Sequence, residues 1–405
     1  MATYSYFAKS LEGKEEVGEV EARSEKEVAQ ILKAKGYILI KAEVAGEKKK
    51  RKFPSLFFWR RVSITEKIMF TRNLRVMISA GVSLPKALST LSQLVRSRIF
   101  KEALLKIAQK IEKGESLSKS LAEFPNIFSE LFVSCVEIGE ESGTLEESLK
   151  ILTEHMEKEY ELRSKIVGAL IYPAVIITVL ILIGALMLII VVPKLKEVFL
   201  ELGVELPPTT KFVIFLGSFL ANYKFFLPFV LLFAIIGFKM ILATKTGKMV
   251  FDFLLLKIPI ISSLAIKSNC AFIIRTLSAL ITAGIPLVRS LEIISNATTN
   301  VYYKASLKEA VRGVRRGIKL SEVLKKYPHL YPLLVHQMLT VGEETGQTAE
   351  ILGKLAEFYE EEVDNATKAL TSIIEPVIMV LIGGAIGFFA VSMIQPMYSM
   401  LGGLK

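Results

Sequence analysis

Residues 167–192 read VGALIYPAVIITVLILIGALMLIIVV, an apolar run without a single charged side chain. In lipid every backbone amide must find its partner within the protein, which makes a helix the local solution. A bilayer core takes about 20 helical residues. The run reads as a membrane span, and the rest of the chain must fold around it. FFLPFVLLFAIIGFKMIL (225–242) reads as a second span; FVIFLGSFLA (212–221), cut off from it by NYK, reads as an interfacial helix. VIMVLIGGAIGFFAVSMI (377–394) reads as a third. Its Gly383 and Gly387 have the spacing that lets another helix approach closely, or are ordinary small residues of a span.

The 405 residues carry 22% charged side chains, too many for a chain buried wholly in lipid. Soluble parts joined to a few spans fit better, and the formal net charge of +11 then needs no nucleic acid. Loops on the inner face of membrane proteins are rich in Lys and Arg. Here Lys150, Lys158, Arg163 and Lys165 precede the first span, and Lys239, Lys245, Lys248 and Lys257 follow the second. This places residues 1–166 and 243–371 in the cytoplasm, with the 193–224 loop and the C-terminal tail opposite. The opening MATYSYFAKSLEGKEE has no apolar run and predicts a cytoplasmic N-terminus without a cleaved signal. Two distant cysteines, Cys135 and Cys270, suggest a reduced compartment and no thiolate metal site.

A shift of 203 residues aligns the chain with itself without a gap from Arg72 to Pro193. Arg72 falls on Arg275, Gly81 on Gly284, Pro173 on Pro376, and GEESG (139–143) on GEETG (342–346). Each repeat is a soluble part of roughly 100 residues followed by its own span. The second span has no copy. It restores parity, so that both soluble parts face the same compartment.

The expected organisation is a small α/β domain (1–46), a basic linker (47–62), a first helical bundle (63–166), a span (167–192), an outer loop (193–224) and a second span (225–242). A connector (243–265), a second bundle (266–371), a third span (372–395) and a tail (396–405) complete it. The fold class is mostly α, with about six helices in each bundle. Ser24–Glu27 and Ser63–Glu66 have the capping-box pattern that opens a helix. The charged stretch from Thr144 predicts a last bundle helix that runs into its span like a stalk. KKKRK (48–52) and FFWRR (57–61) read as a solvated linker or as a segment lying on an anionic membrane surface.

No nucleotide or metalloprotease motif is present; TKTGKM (244–249) has Met where a P-loop needs a hydroxyl. His155, His329 and His336 lack ligand spacing and read as surface or packing residues. Adjacent carboxylates on a helix diverge by about 100°, so Glu140 and Glu141 do not flank one atom as a catalytic pair. The spans hold almost no ionisable group, Glu375 beside Pro376 lying at one end. No catalytic residue, cofactor or metal is expected.

FTRNLRVMISAGVSLPKAL (70–88), its partner IIRTLSALITAGIPLVRSL (273–291), the GEESG and GEETG phrases, LIYPAV, IIEPVI and the closing MIQPMYSML together resemble the type II secretion F family. These are inner-membrane platform proteins of type II secretion and type IV pilus assembly. The resemblance implies a non-enzymatic scaffold between a cytoplasmic assembly ATPase and pilins or pseudopilins. It also implies other inner-membrane assembly proteins as partners, and a homo-oligomer with a dimer favoured. The alternative is a transporter or channel subunit, since duplicated membrane proteins often are.

Three readings remain for the acidic phrase. Gly139, Glu140, Glu141 and Gly143, with Gly342, Glu343, Glu344 and Gly346, can form a helix junction, with Ser142 or Thr345 capping the next helix. They can form a contact surface for a subunit or the motor. Glu140 and Glu343 are also candidates for a bound cation. Thr144 is replaced by Gln347 in the second copy, so capping alone does not account for the copied pair.

Overall fold

The computed structural model describes residues 2–10, 15–22, 24–44, 62–201, 207–223, 227–259 and 261–402. The 48–52 and 57–61 linker motifs lie outside the described residues. Two units separate, Met1–Arg60 and Arg61–Lys405.

In the first unit, strand β1 (Ala2–Ser10) lies between β2 (Glu15–Ala22) and β3 (Tyr37–Val44), antiparallel to both. Helix α1 (Glu25–Ala34) covers the sheet through Val28 and Leu32, which pack with Tyr6, Ala8 and Ala22. Ser24 stands at the N-cap but makes no side-chain capping bond.

The second unit contains the duplication. The first bundle comprises α2 (Ile64–Ser79), α3 (Leu84–Leu94), α4 (Arg98–Glu112), α5 (Leu117–Ala122), α6 (Glu130–Glu141) and the bundle part of α7 (Leu145–Leu186). The second comprises α12 (Ile261–Thr282), α13 (Leu287–Ala297), α14 (Val301–Arg315), α15 (Leu320–Leu324), α16 (Leu333–Thr345) and the bundle part of α17 (Thr348–Gly402). Apolar residues at three and four spacing turn inward, as Phe70 and Leu74 do on α2. Phe70, Phe100 and Phe128 form an aromatic centre in the first bundle. The second bundle has Tyr303 and Tyr331 at the places of Phe100 and Phe128. The added hydroxyls are satisfied: Tyr303 donates to the Leu330 carbonyl at 2.6 Å and Tyr331 shares a bond with Ser306 at 2.8 Å.

Helices α7 and α17 continue from the bundles into the apolar spans without a break, despite Pro173 and Pro376 in their interiors. A π-helical turn (Met187–Val191) passes α7 into α8 (Val192–Glu201). The segment expected to lie at the interface is α9 (Pro208–Asn222), docked against the span ends remote from the bundles. Val213 and Ile214 pack there with Val192, Leu188, Phe389 and Met393. Gly217 permits the approach, since a Cβ would stand 2.7 Å from the Leu188 carbonyl oxygen.

Length and composition alone would make α12 a membrane helix, but 56% of its most apolar window is buried inside the protein. Its Cys270, Ile273, Ile274, Leu277 and Leu280 are core residues of the second bundle. By contrast α10 (Leu227–Ala243) exposes Phe229, Phe233, Ile236, Phe238 and Met240 around its circumference. That all-round apolar surface suits lipid better than a protein core. The connector after it is also ordered: α11 (Lys245–Lys257) places Asp252 to accept from the Val301 amide at 2.8 Å.

Candidate functional site

The copied phrase sits where α6 turns into α7 and where α16 turns into α17. Gly143 and Gly346 have φ of 73° and 70°, the left-handed angle at which a chain leaves a helix with least strain in glycine. Gly139 and Gly342 do a different job, inside their helices. A Cβ at Gly139 would lie 2.7 Å from the Ser148 Cβ and 3.1 Å from the Leu145 Cα, and one at Gly342 would lie 3.2 Å from the Thr348 Cα. They let the two helices of each junction touch backbone to backbone.

The adjacent carboxylates divide. Glu140 turns inward and accepts from the Leu117 amide at 2.6 Å, the Ser118 amide at 3.0 Å and the Ser118 hydroxyl at 2.7 Å. It thereby caps the N-terminus of α5, 23 residues upstream. Glu343 repeats this on α15, accepting from the Leu320 amide at 2.6 Å, from the Ser321 amide and from the Ser321 hydroxyl. A helix of five or six residues leaves most of its amides without internal partners, so a fixed anion at its start matters more than in a long helix. Protein donors meet both oxygens of each carboxylate. Among the described residues no cluster of three His, Cys, Asp or Glu could hold a metal. Glu141 and Glu344 are exposed. Ser142 bonds back to the Ile138 carbonyl and to Thr144, which makes no capping bond of its own.

The sequence-level capping box at Ser63 is half realised. Ser63 accepts from the Thr65 amide, but Glu66 reaches across to the Arg96 and Ser97 amides at 2.6 and 2.8 Å. The second repeat has Asn269 at that place, and Asp252 of α11 serves the corresponding helix start.

Arg72 pairs with Glu157, and Arg275 with Glu360 at 2.5 Å, each tying the first helix of a bundle to its stalk. The two glutamates were not singled out from sequence, although the same 203-residue shift superposes them. The first pair is exposed, whereas the second is largely enclosed. Arg275→Ala is expected to cost about 2 kcal/mol, as for a hydrogen bond to a charged group. Arg72→Ala should cost below about 1 kcal/mol. Thermal unfolding of the two detergent-solubilised variants tests the order.

The bundles meet along α7 and α12. His155 is buried and its Nε2 lies 3.0 Å from the Thr276 hydroxyl. That hydroxyl donates to the Phe272 carbonyl, so Nε2 carries the proton and donates. Nδ1, the Ser268 hydroxyl and Arg275 Nη2 are buried without protein partners. All three residues line a cavity of about 200 Å³, walled by Leu162, Ile166 and Phe272. Burial, and secondarily the positive charge of Arg275, holds the His155 pKa down at about 4. Glu130 extends the joint by pairing with Arg289 at 3.0 Å and accepting from Asn296 at 3.0 Å. A Cβ added at Gly383 or Gly387 would meet nothing within 4 Å beyond its own helix backbone, and Glu375 is exposed.

Residues 70–193 and 273–396 each match the family described as type II secretion system (T2SS), protein F. The matches start at 70 and 273 and end at 193 and 396, a step of 203 at both ends. Residues 1–43 match the N-terminal domain of the same family. The type IV pilus assembly protein PilC of Thermus thermophilus is 31% identical over all of both chains. The protein of that name from Pseudomonas aeruginosa is 35% identical over 82% of this chain and 89% of its own. The type II secretion system protein F of Aeromonas hydrophila is 29% identical over 93% and 97%.

Proposed function

Because this chain belongs to the type II secretion system protein F family, we propose that it is an inner-membrane platform coupling a cytoplasmic assembly ATPase to the incorporation of pilins or pseudopilins. The observation that carries the reading is mechanical. Each of two bundles passes into an apolar span through one continuous helix, so displacement of a bundle is delivered into the bilayer. The absence of nucleotide-binding motifs in the sequence fits work supplied by a partner. The N-terminus and both bundles lie in the cytoplasm, and the C-terminus on the opposite side. Glu141 and Glu344, copied yet turned to solvent, are the carboxylates available to the motor or to another assembly protein. Gly383 and Gly387, open on their helix, suit close approach by an apolar helix in the membrane. The protein works as a homo-oligomer, a dimer first, and has no part in nucleic-acid binding.

The test is co-purification of the tagged full chain with its assembly ATPase from native membranes, together with deletion of the gene. The ATPase should be retained, and filament or secreted-protein assembly lost. An intact detergent-solubilised chain that retains no ATPase, in cells whose assembly survives the deletion, would overturn the proposal.

A further inference from the structure

The two bundles are copies, and their stalks touch through matching stretches, with Lys165 3.8 Å from Asp364, yet the bundle bodies do not use the same face against each other. The second contributes its α12/α13 side: Phe272, Thr276, Arg289, Ile293 and Asn296. The first contributes its α6/α7 side: Glu130, Leu152, His155 and Met156. The joint is head to tail, so each bundle has one docking face left over.

Both leftover faces lie outside the spans and carry exposed apolar side chains, on the first bundle among the polar Asn73, Lys86, Thr90 and Gln93. On the first bundle the places of Phe272 and Ala297 are taken by Met69 and Leu94, which are 58% and 67% exposed. On the second bundle the places of Glu130 and His155 are taken by Leu333 and Phe358, 62% and 43% exposed. Solvent-facing leucine, methionine and phenylalanine grouped on the counterparts of an occupied interface mark a contact surface. A groove of about 640 Å³ runs along the first face, past Met69, Asn73, Leu91 and Leu94.

We infer that a second copy of this chain docks here, its α16/α17 face on the α2/α3 face of the first, repeating between molecules the joint that each makes internally. The inference rests on the self-association proposed above and says which surfaces perform it. A head-to-tail contact closes only if its rotation allows. Two copies that each offer both faces complete a ring of four bundles. The counterpart of the Glu130–Arg289 pair is then Leu333 opposite Lys86 of the other copy.

Two differently tagged full-length copies, one carrying Gln93→Cys and the other Leu333→Cys, are co-expressed and treated in membranes with a short bifunctional maleimide. Cys135 and Cys270 are buried, and burial pushes both thiols up to about 12, so they stay silent. Glu130→Cys with Asn296→Cys in one chain is the internal control. The expected product is a dimer bearing both tags, formed only when the two variants are mixed. Leu333→Lys sets a cation against Lys86 and should abolish co-purification of the tags, whereas Leu333→Glu recreates the internal pairing and should keep it. Tags that co-purify without the mixed cross-link, or either variant cross-linking to itself, overturn the assigned faces. Tags that never co-purify overturn self-association itself.

Discussion

Glu140→Ala is expected to destabilise the first bundle by about 4 kcal/mol, since hydrogen bonds to a charged group contribute about 1.5–3 kcal/mol each and the orphaned amides are partly buried. Three bonds to Leu117 and Ser118 disappear together. Glu140→Gln keeps an acceptor while losing the charge, and should recover about half of the loss. Glu343→Ala should act alike on the second bundle, through Leu320 and Ser321. The two sites share no partner, so the double variant should show the sum. Calorimetry on the full chain in detergent reads these effects. An unchanged unfolding profile combined with lost assembly would move Glu140 from the junction to a partner surface, and Glu141→Lys is the matched control for that surface.

Acidification should loosen the joint between the bundles through His155. When the joint opens, the imidazole binds a proton near its ordinary 6.5; closed, it does so only near 4, with Arg275 facing it and Glu159 lining the same cavity. The folded pKa is the lower one, so stability is lost as pH falls from 6.5 towards 4. The loss is about 2 kcal/mol by pH 5 and about 3 kcal/mol in full. His155→Phe places there the residue found at 358 and cannot take up the proton. The variant should lack this increment between pH 7 and pH 5, other titrations being common to both proteins. Identical pH profiles for the two chains would sink the assignment.

The duplication and the stalks were legible because each leaves a local trace: a gapless shift, and charge running directly into an apolar stretch. The cap on α5 was not, since nothing near Glu140 in sequence hints that its partners lie 23 residues back. Glu66 misled for the same reason. Its spacing from Ser63 suits a local box, but the Arg96 and Ser97 amides compete for it and win. His155 read as a surface or packing residue, and its counterpart Phe358 gave the signal that was missed. Where two copies of a fold differ at one buried-looking position, the difference marks which copy uses that face. Apolarity by itself does not mark a span, since α12 is apolar for the sake of a protein core rather than lipid.

The uninterrupted α17 is a lever. Its 55 residues make a rod of about 80 Å at about 1.5 Å per residue. A tilt of about 5° at the bundle end carries the far end through about 7 Å, more than one helical turn. A displacement of side-chain size at the bundle end is enough for this. With no loop along the rod to absorb it, such a displacement reaches the far end enlarged rather than spent.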